Sequence, residues 1–119
     1  AGLSKIQREG DLVWASLSLE DRKAAEYPGN DDAELVNNIA FVEGGKVIVL
    51  FIEQSDSQVK ISWRSQGEID VSQIAAQFGG GGHMAAAGAT ANGSLADVQQ
   101  RILSATRLAL QEAPVNQPV

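Results

Sequence analysis

Short apolar runs punctuate this chain, and their spacing changes from one to the next. From Leu12 to Leu19 the residues Val13, Ala15, Leu17 and Leu19 fall on one face of a first strand. Glu20 to Asn30 is charged and ends in Tyr27-Pro28-Gly29-Asn30, a loop signature. Asp31 opens a helix, with Glu34 placed as in a capping box, Leu35, Val36, Ile39 and Val42 forming its apolar stripe, and Gly44-Gly45 ending it. Lys46 to Glu53 is nearly all β-branched or apolar, which predicts a strand covered on both faces. After the polar turn Gln54 to Gln58, Val59, Ile61 and Trp63 alternate with Lys60, Ser62 and Arg64. These two strands read as a hairpin.

Asp70 and Gln73 offer a second capping box, and Val71, Ile74, Ala75 and Phe78 follow at the spacing of a short amphipathic helix. Gly88 to Ala91 reads as one more short strand and Asn92-Gly93 as a turn. Ser94 caps a last helix that runs to about Glu112. The order predicts an α+β fold, a mixed β-sheet with helices packed on its faces, in a single domain. Residues 12–112 form that domain. Residues 1–11 are a lead-in, read as the frayed end of a linker helix, and residues 113–119 are a loose tail.

With 119 residues and 44% hydrophobic content, the chain is long and apolar enough to bury a core. No apolar run approaches the ~20 residues of a membrane-spanning helix, so no membrane partner is expected. The absence of cysteine excludes disulfides and thiolate metal sites and fits a cytoplasmic protein. A formal net charge of −6 argues against non-specific binding of long duplex nucleic acid, which needs a basic face. It leaves room for one small nucleotide held by local groups.

The candidate chemistry is concentrated in Gly79-Gly80-Gly81-Gly82-His83, followed by Met84-Ala85-Ala86-Ala87-Gly88. Consecutive glycines let backbone N–H groups approach a ligand unobstructed. His83 is the only histidine of the chain. If a short helix begins there, a phosphate would meet backbone donors and an imidazole together. The bland alternatives are a helix cap at Gly79, a flexible turn and a surface histidine. The run is neither a Walker A loop nor a dinucleotide fingerprint, because a helix rather than a strand precedes it. Arg64-Ser65, at the end of a strand, is the second candidate. Its guanidinium suits a phosphate, although for an isolated arginine a solvated pairing with a carboxylate such as Glu68 or Asp70 is the favoured reading. One histidine and scattered carboxylates do not make a metal site, and no serine–histidine–acid arrangement stands out.

Trp63-Arg64-Ser65, the segment from Ile69 to Phe78 and the string from Gly79 to Gly88 strongly resemble the C-terminal DHH-associated domain of DHH-type phosphoesterases. Among these, the chain looks most like bacterial oligoribonucleases of the nano-RNase type, many of which also dephosphorylate 3′-phosphoadenosine 5′-phosphate. Leu35-Val36-Asn37 and the strand Val47 to Phe51 fit the same family. The resemblance implies a substrate-binding half that works with an N-terminal DHH domain, whose aspartates and histidines hold manganese. This chain contains no Asp-His-His triplet, so no catalysis is expected from it alone.

Carried over, the nucleotide- or phosphate-binding positions are Arg64, Ser65, Gly79, Gly80, Gly81, Gly82, His83 and Ala86, and the partner is a short single-stranded RNA or nucleotide. Related members cleave cyclic di-AMP or degrade DNA in the manner of RecJ. Ala86-Ala87-Gly88 favours the nano-RNase branch. A non-catalytic anion-binding, regulatory or oligomerisation module is the alternative reading.

Overall fold

The computed structural model describes residues 6–18, 46–55, 57–66 and 69–112. Among them, β1 (Gln7–Glu9), β2 (Leu12–Leu17), β3 (Val47–Ser55), β4 (Gln58–Ser65), β5 (Gly81–His83) and β6 (Ala86–Asn92) form one sheet. Helices α1 (Val71–Ala76) and α2 (Leu95–Glu112) accompany it. The strand order is β1-β2-β3-β4-β6-β5. Only β2 and β3 run parallel, and every other pairing is antiparallel. This is the α+β arrangement predicted, a mixed sheet with helices packed on it. The predicted helix from Asp31 to Val42, the loop before it and the tail after residue 112 lie outside the described residues.

The alternation along β4 settles which side of the sheet is which. Val59, Ile61 and Trp63 join Leu12, Val47, Val49 and Phe51 in a core that α1 closes with Val71, Ile74 and Ala75, and α2 with Val98, Ile102 and Leu103. Val13, Ala15, Leu17, Ile48, Leu50 and Ile52 form a second buried cluster. They belong to the opposite face by the strand period of two. Strand β3 is therefore buried on both sides, as its unbroken apolar run requires.

Both described helices start where the sequence placed them. Asp70 Oδ1 accepts from the backbone N–H of Ser72 at 3.0 Å and from its hydroxyl at 2.5 Å. Ser94 Oγ accepts from the N–H of Asp97 at 3.2 Å. Within the core, the indole N–H of Trp63 donates to Thr106 Oγ1 at 3.2 Å, and the Thr106 hydroxyl donates to the Ile102 carbonyl at 2.7 Å. Phe78 stacks on Trp63 with ring centroids 6.5 Å apart and planes 24° apart.

Two segments differ from the sequence expectation. Residues 7–9, read as part of a lead-in helix, are a short edge strand held by backbone pairing to β2. The glycine-alanine string is a β-hairpin, with β6 beginning at Ala86, two residues earlier than expected. No helix begins at His83, because the chain turns at Met84-Ala85 and pairs back on itself.

Candidate functional site

The four glycines have separate tasks. Gly79 has φ +81°, and its N–H donates to the Ala76 carbonyl at 3.2 Å while that of Gly80 donates to the Ala75 carbonyl at 2.9 Å. That pair of bonds is a Schellman motif, so Gly79 is the residue that stops α1. Gly80 and Gly82 lie against β6. A Cβ on Gly80 would sit 2.1 Å from the Gly88 carbonyl oxygen, and one on Gly82, at φ +150°, would sit 2.5 Å from that of Ala86. A Cβ on Gly81 would meet nothing within 4 Å. The fold needs three of these glycines to be glycine and leaves the fourth facing open space.

This division is testable by urea denaturation. Gly80→Ala is expected to lower stability by about 1–3 kcal/mol, because two backbones must separate. Gly81→Ala is expected to leave stability unchanged or raise it by up to ~1 kcal/mol. Equal losses in both variants would refute the assignment.

The register brings the candidate residues together. Ile48 pairs with Arg64, Arg64 with Ala86, and Ala86 with His83. Arg64 and His83 thus share one row and one face of the sheet, on either side of Ala86. Their backbones are two strand spacings apart, roughly 10 Å. The next row places Ser62, Gly88 and Gly81 side by side. Small residues form the floor between the two potential anion donors. Arg64 is half-buried, and its Nη1 donates to the Trp63 carbonyl at 3.2 Å. His83 is exposed at the hairpin tip.

The tip itself is fastened to the body. The N–H of Ser65 donates to the Ala85 carbonyl, and that of Val71 to the Met84 carbonyl, each at 3.0 Å.

Ser65 does not join this face. Its side chain alternates away from that of Arg64, and its hydroxyl is buried with no hydrogen-bond partner among the described residues. Ser62 and Gly88, on the floor, are not among the binding positions that the sequence points to. The alternation of β4 already pointed Ser62 the same way as Arg64, whereas Gly88 became visible only through the pairing of β5 with β6. Of the described aromatics, Trp63 and Phe51 are fully buried. Phe78 borders an open groove on the helical side with Asp97, Gln100, Arg101 and Ser104. Among the described residues no group of three or more histidines, aspartates or glutamates is placed to hold a metal ion. No described helix is long and apolar enough to cross a membrane.

Known proteins are similar to this chain in sequence and in fold. Residues 19–112 match the DHHA1 domain model. The bifunctional oligoribonuclease and PAP phosphatase NrnA of Thermus thermophilus is 41% identical over 105 residues, covering 87% of this chain and 31% of that protein. The protein of the same description in Mycoplasma genitalium is 39% identical over 84 residues, covering 71% of this chain and 26% of its own length. The chain thus spans about a third or less of the curated relatives it matches.

Among solved structures, an exopolyphosphatase-related protein from Bacteroides fragilis superposes with a TM-score of 0.72 at 24% identity, over 90% of this chain and 31% of that one. That likeness is one of fold. The family model takes in α1, the glycine hairpin, the strand bearing Arg64 and α2. On that match, this chain belongs to the DHHA1, or DHH-associated, domain family.

Proposed function

We propose that this chain is the substrate-binding half of a two-domain phosphoesterase. Its Arg64–His83 face holds a phosphate of a short single-stranded RNA or of 3′-phosphoadenosine 5′-phosphate. A DHH domain elsewhere in the protein supplies manganese and the hydrolytic step. The observation that carries this reading is the shared register row, which sets Arg64 and His83 on one face across a floor of Ala86, Gly88 and Gly81. Two of the relatives are described as acting on oligoribonucleotides and on that bisphosphate, which supports the substrate class.

The roles follow from the side chains. The Arg64 guanidinium presents paired N–H donors to phosphate oxygens. The His83 imidazole adds a donor from the opposite side. Gly81 lets the ligand reach the backbone of β5, where a larger residue would occupy the space. A net charge of −6 is compatible with such a site, because a short ligand needs local donors rather than a long basic track. The described residues do not form a manganese site, so no step of the hydrolysis is assigned to them.

Titration of this chain with 3′-phosphoadenosine 5′-phosphate, followed by amide chemical shifts, tests the proposal. Shifts are expected at Arg64, Gly79 to His83 and Ala86, with little response to long duplex DNA. Shifts that avoid these residues, or tight duplex binding, would overturn it. The same chain incubated with manganese and the bisphosphate is expected to release no phosphate. Turnover at the rate of a complete family enzyme would contradict the division of labour.

A further inference from the structure

Both walls of the proposed phosphate site are referenced to one residue, one through its backbone carbonyl and the other through its buried ring. Trp63 immediately precedes Arg64, and its carbonyl accepts from Arg64 Nη1 at 3.2 Å. The Trp63 ring, 0% exposed, stacks on Phe78, the residue just before the glycine run. The N–H of Phe78 donates to the Ala75 carbonyl at 3.0 Å, in the same final turn that places Gly79 and Gly80. What orients the indole is a residue far along the chain. Thr106 on α2, also 0% exposed, receives the indole N–H at 3.2 Å, and its own proton is committed to the Ile102 carbonyl at 2.7 Å. With that donor engaged, the hydroxyl presents a lone pair to Trp63 in a fixed direction.

We infer that Thr106 is a positioning residue for the phosphate site, acting through Trp63 on Arg64 at one wall and through Phe78 on the glycine hairpin at the other. The inference rests on the reading of that face as a nucleotide site. Its physical basis is that a buried ring held only by packing can tilt between neighbouring arrangements. A hydrogen bond at its edge selects one. A tilt of the indole moves a stacked phenyl ring and the turn attached to it, because packed interiors shift in discrete steps rather than deform freely.

The experiment measures affinity for 3′-phosphoadenosine 5′-phosphate and urea stability on the same proteins. Thr106→Val keeps the shape but withdraws the acceptor. Thr106→Ser keeps the acceptor. Thr106→Val is expected to weaken binding roughly threefold to tenfold, with altered Trp63 fluorescence and displaced amide shifts at Arg64 and Gly79 to Gly82. Thr106→Ser is expected to bind within about twofold of the unaltered chain.

Trp63→Phe, which removes the N–H donor, covers the case in which Thr106→Val does not fold. It should weaken binding in the same way, and a further Thr106→Val change should then add little. Normal affinity in Thr106→Val or in Trp63→Phe, alongside weakened binding in Arg64→Lys, would overturn the positioning role and leave the phosphate site standing. Normal affinity in Arg64→Lys and His83→Ala, or no binding by the unaltered chain, would overturn both.

Discussion

His83→Ala is expected to weaken binding of 3′-phosphoadenosine 5′-phosphate roughly ten- to a hundredfold, since a hydrogen bond to a charged group contributes about 1.5–3 kcal/mol. The thermal midpoint should barely move. His83 is exposed at the end of a three-residue edge strand, and it belongs to neither buried cluster. Surface changes of that kind usually stay within about 0.5 kcal/mol. Arg64→Lys is expected to weaken the same ligand too, because lysine keeps the charge and loses the paired planar donors. If His83 only decorated a hairpin, its removal would leave affinity where it was. Calorimetric titration beside thermal melting on both variants separates the two accounts, and unchanged affinity in both removes the phosphate site.

Trp63→Ala is expected to be the most damaging single change to the fold, costing about 3–5 kcal/mol. The side chain is 0% exposed near the C-terminal end of β4, a strand flanked by β3 and β6, and it packs in the core that both described helices close. Truncation leaves a cavity that the sheet backbone cannot collapse into. It also strands the Thr106 lone pair and removes the ring beneath Phe78. A domain of this size typically has only 5–15 kcal/mol in hand, so a fall in melting temperature on the order of 15 °C is expected. A fall of only a few degrees would mean that the core repacks around the gap, and that the indole holds the two layers together less firmly than its contacts indicate.

The parts of the fold that could be read in the sequence are those with a strong local period. The alternation of Val59, Ile61 and Trp63 fixed the two faces of β4. The apolar run from Val47 announced a strand buried on both sides, and Asp70 and Ser94 marked helix starts. Gln7-Arg8-Glu9 carries no such period. Its side chains are all exposed, and what makes it a strand is backbone pairing with β2, with Glu9 also paired to Arg107 of α2.

The hairpin was hidden for a different reason. Glycine and alanine have weak strand preference, so residues 79–87 resemble a loop, with room for a short helix after His83, before the short strand expected from Gly88. Pairing of Ala86 to Gly88 with Ser62 to Arg64 on β4 decides otherwise. The candidate site could be named from the sequence as a set of residues but not as a geometry. Arg64 and His83 are distant in sequence and share a row only because β6 pairs with both β4 and β5. Continued one residue further, the alternation of β4 already turns Ser65 to the Trp63 side, whereas nothing local could show that Gly81 differs from the glycines on either side of it.

The fastening of the hairpin tip bears on when conformational freedom is lost. A glycine run in solution samples more backbone states than any other sequence, and each glycine held in a strand costs roughly 0.5–1 kcal/mol relative to alanine. Here Met84 and Ala85 are bonded to Val71 and Ser65, and the run is bonded back to Ala75 and Ala76 at its other end. The ordering entropy of the run is therefore lost as the domain folds, and little of it remains to be lost when a ligand arrives. Amides of Ser65 and Val71 should exchange with solvent slowly even in the empty domain. Ligand should then add little further protection there, as expected if the glycine segment is a rigid mould rather than a closing flap.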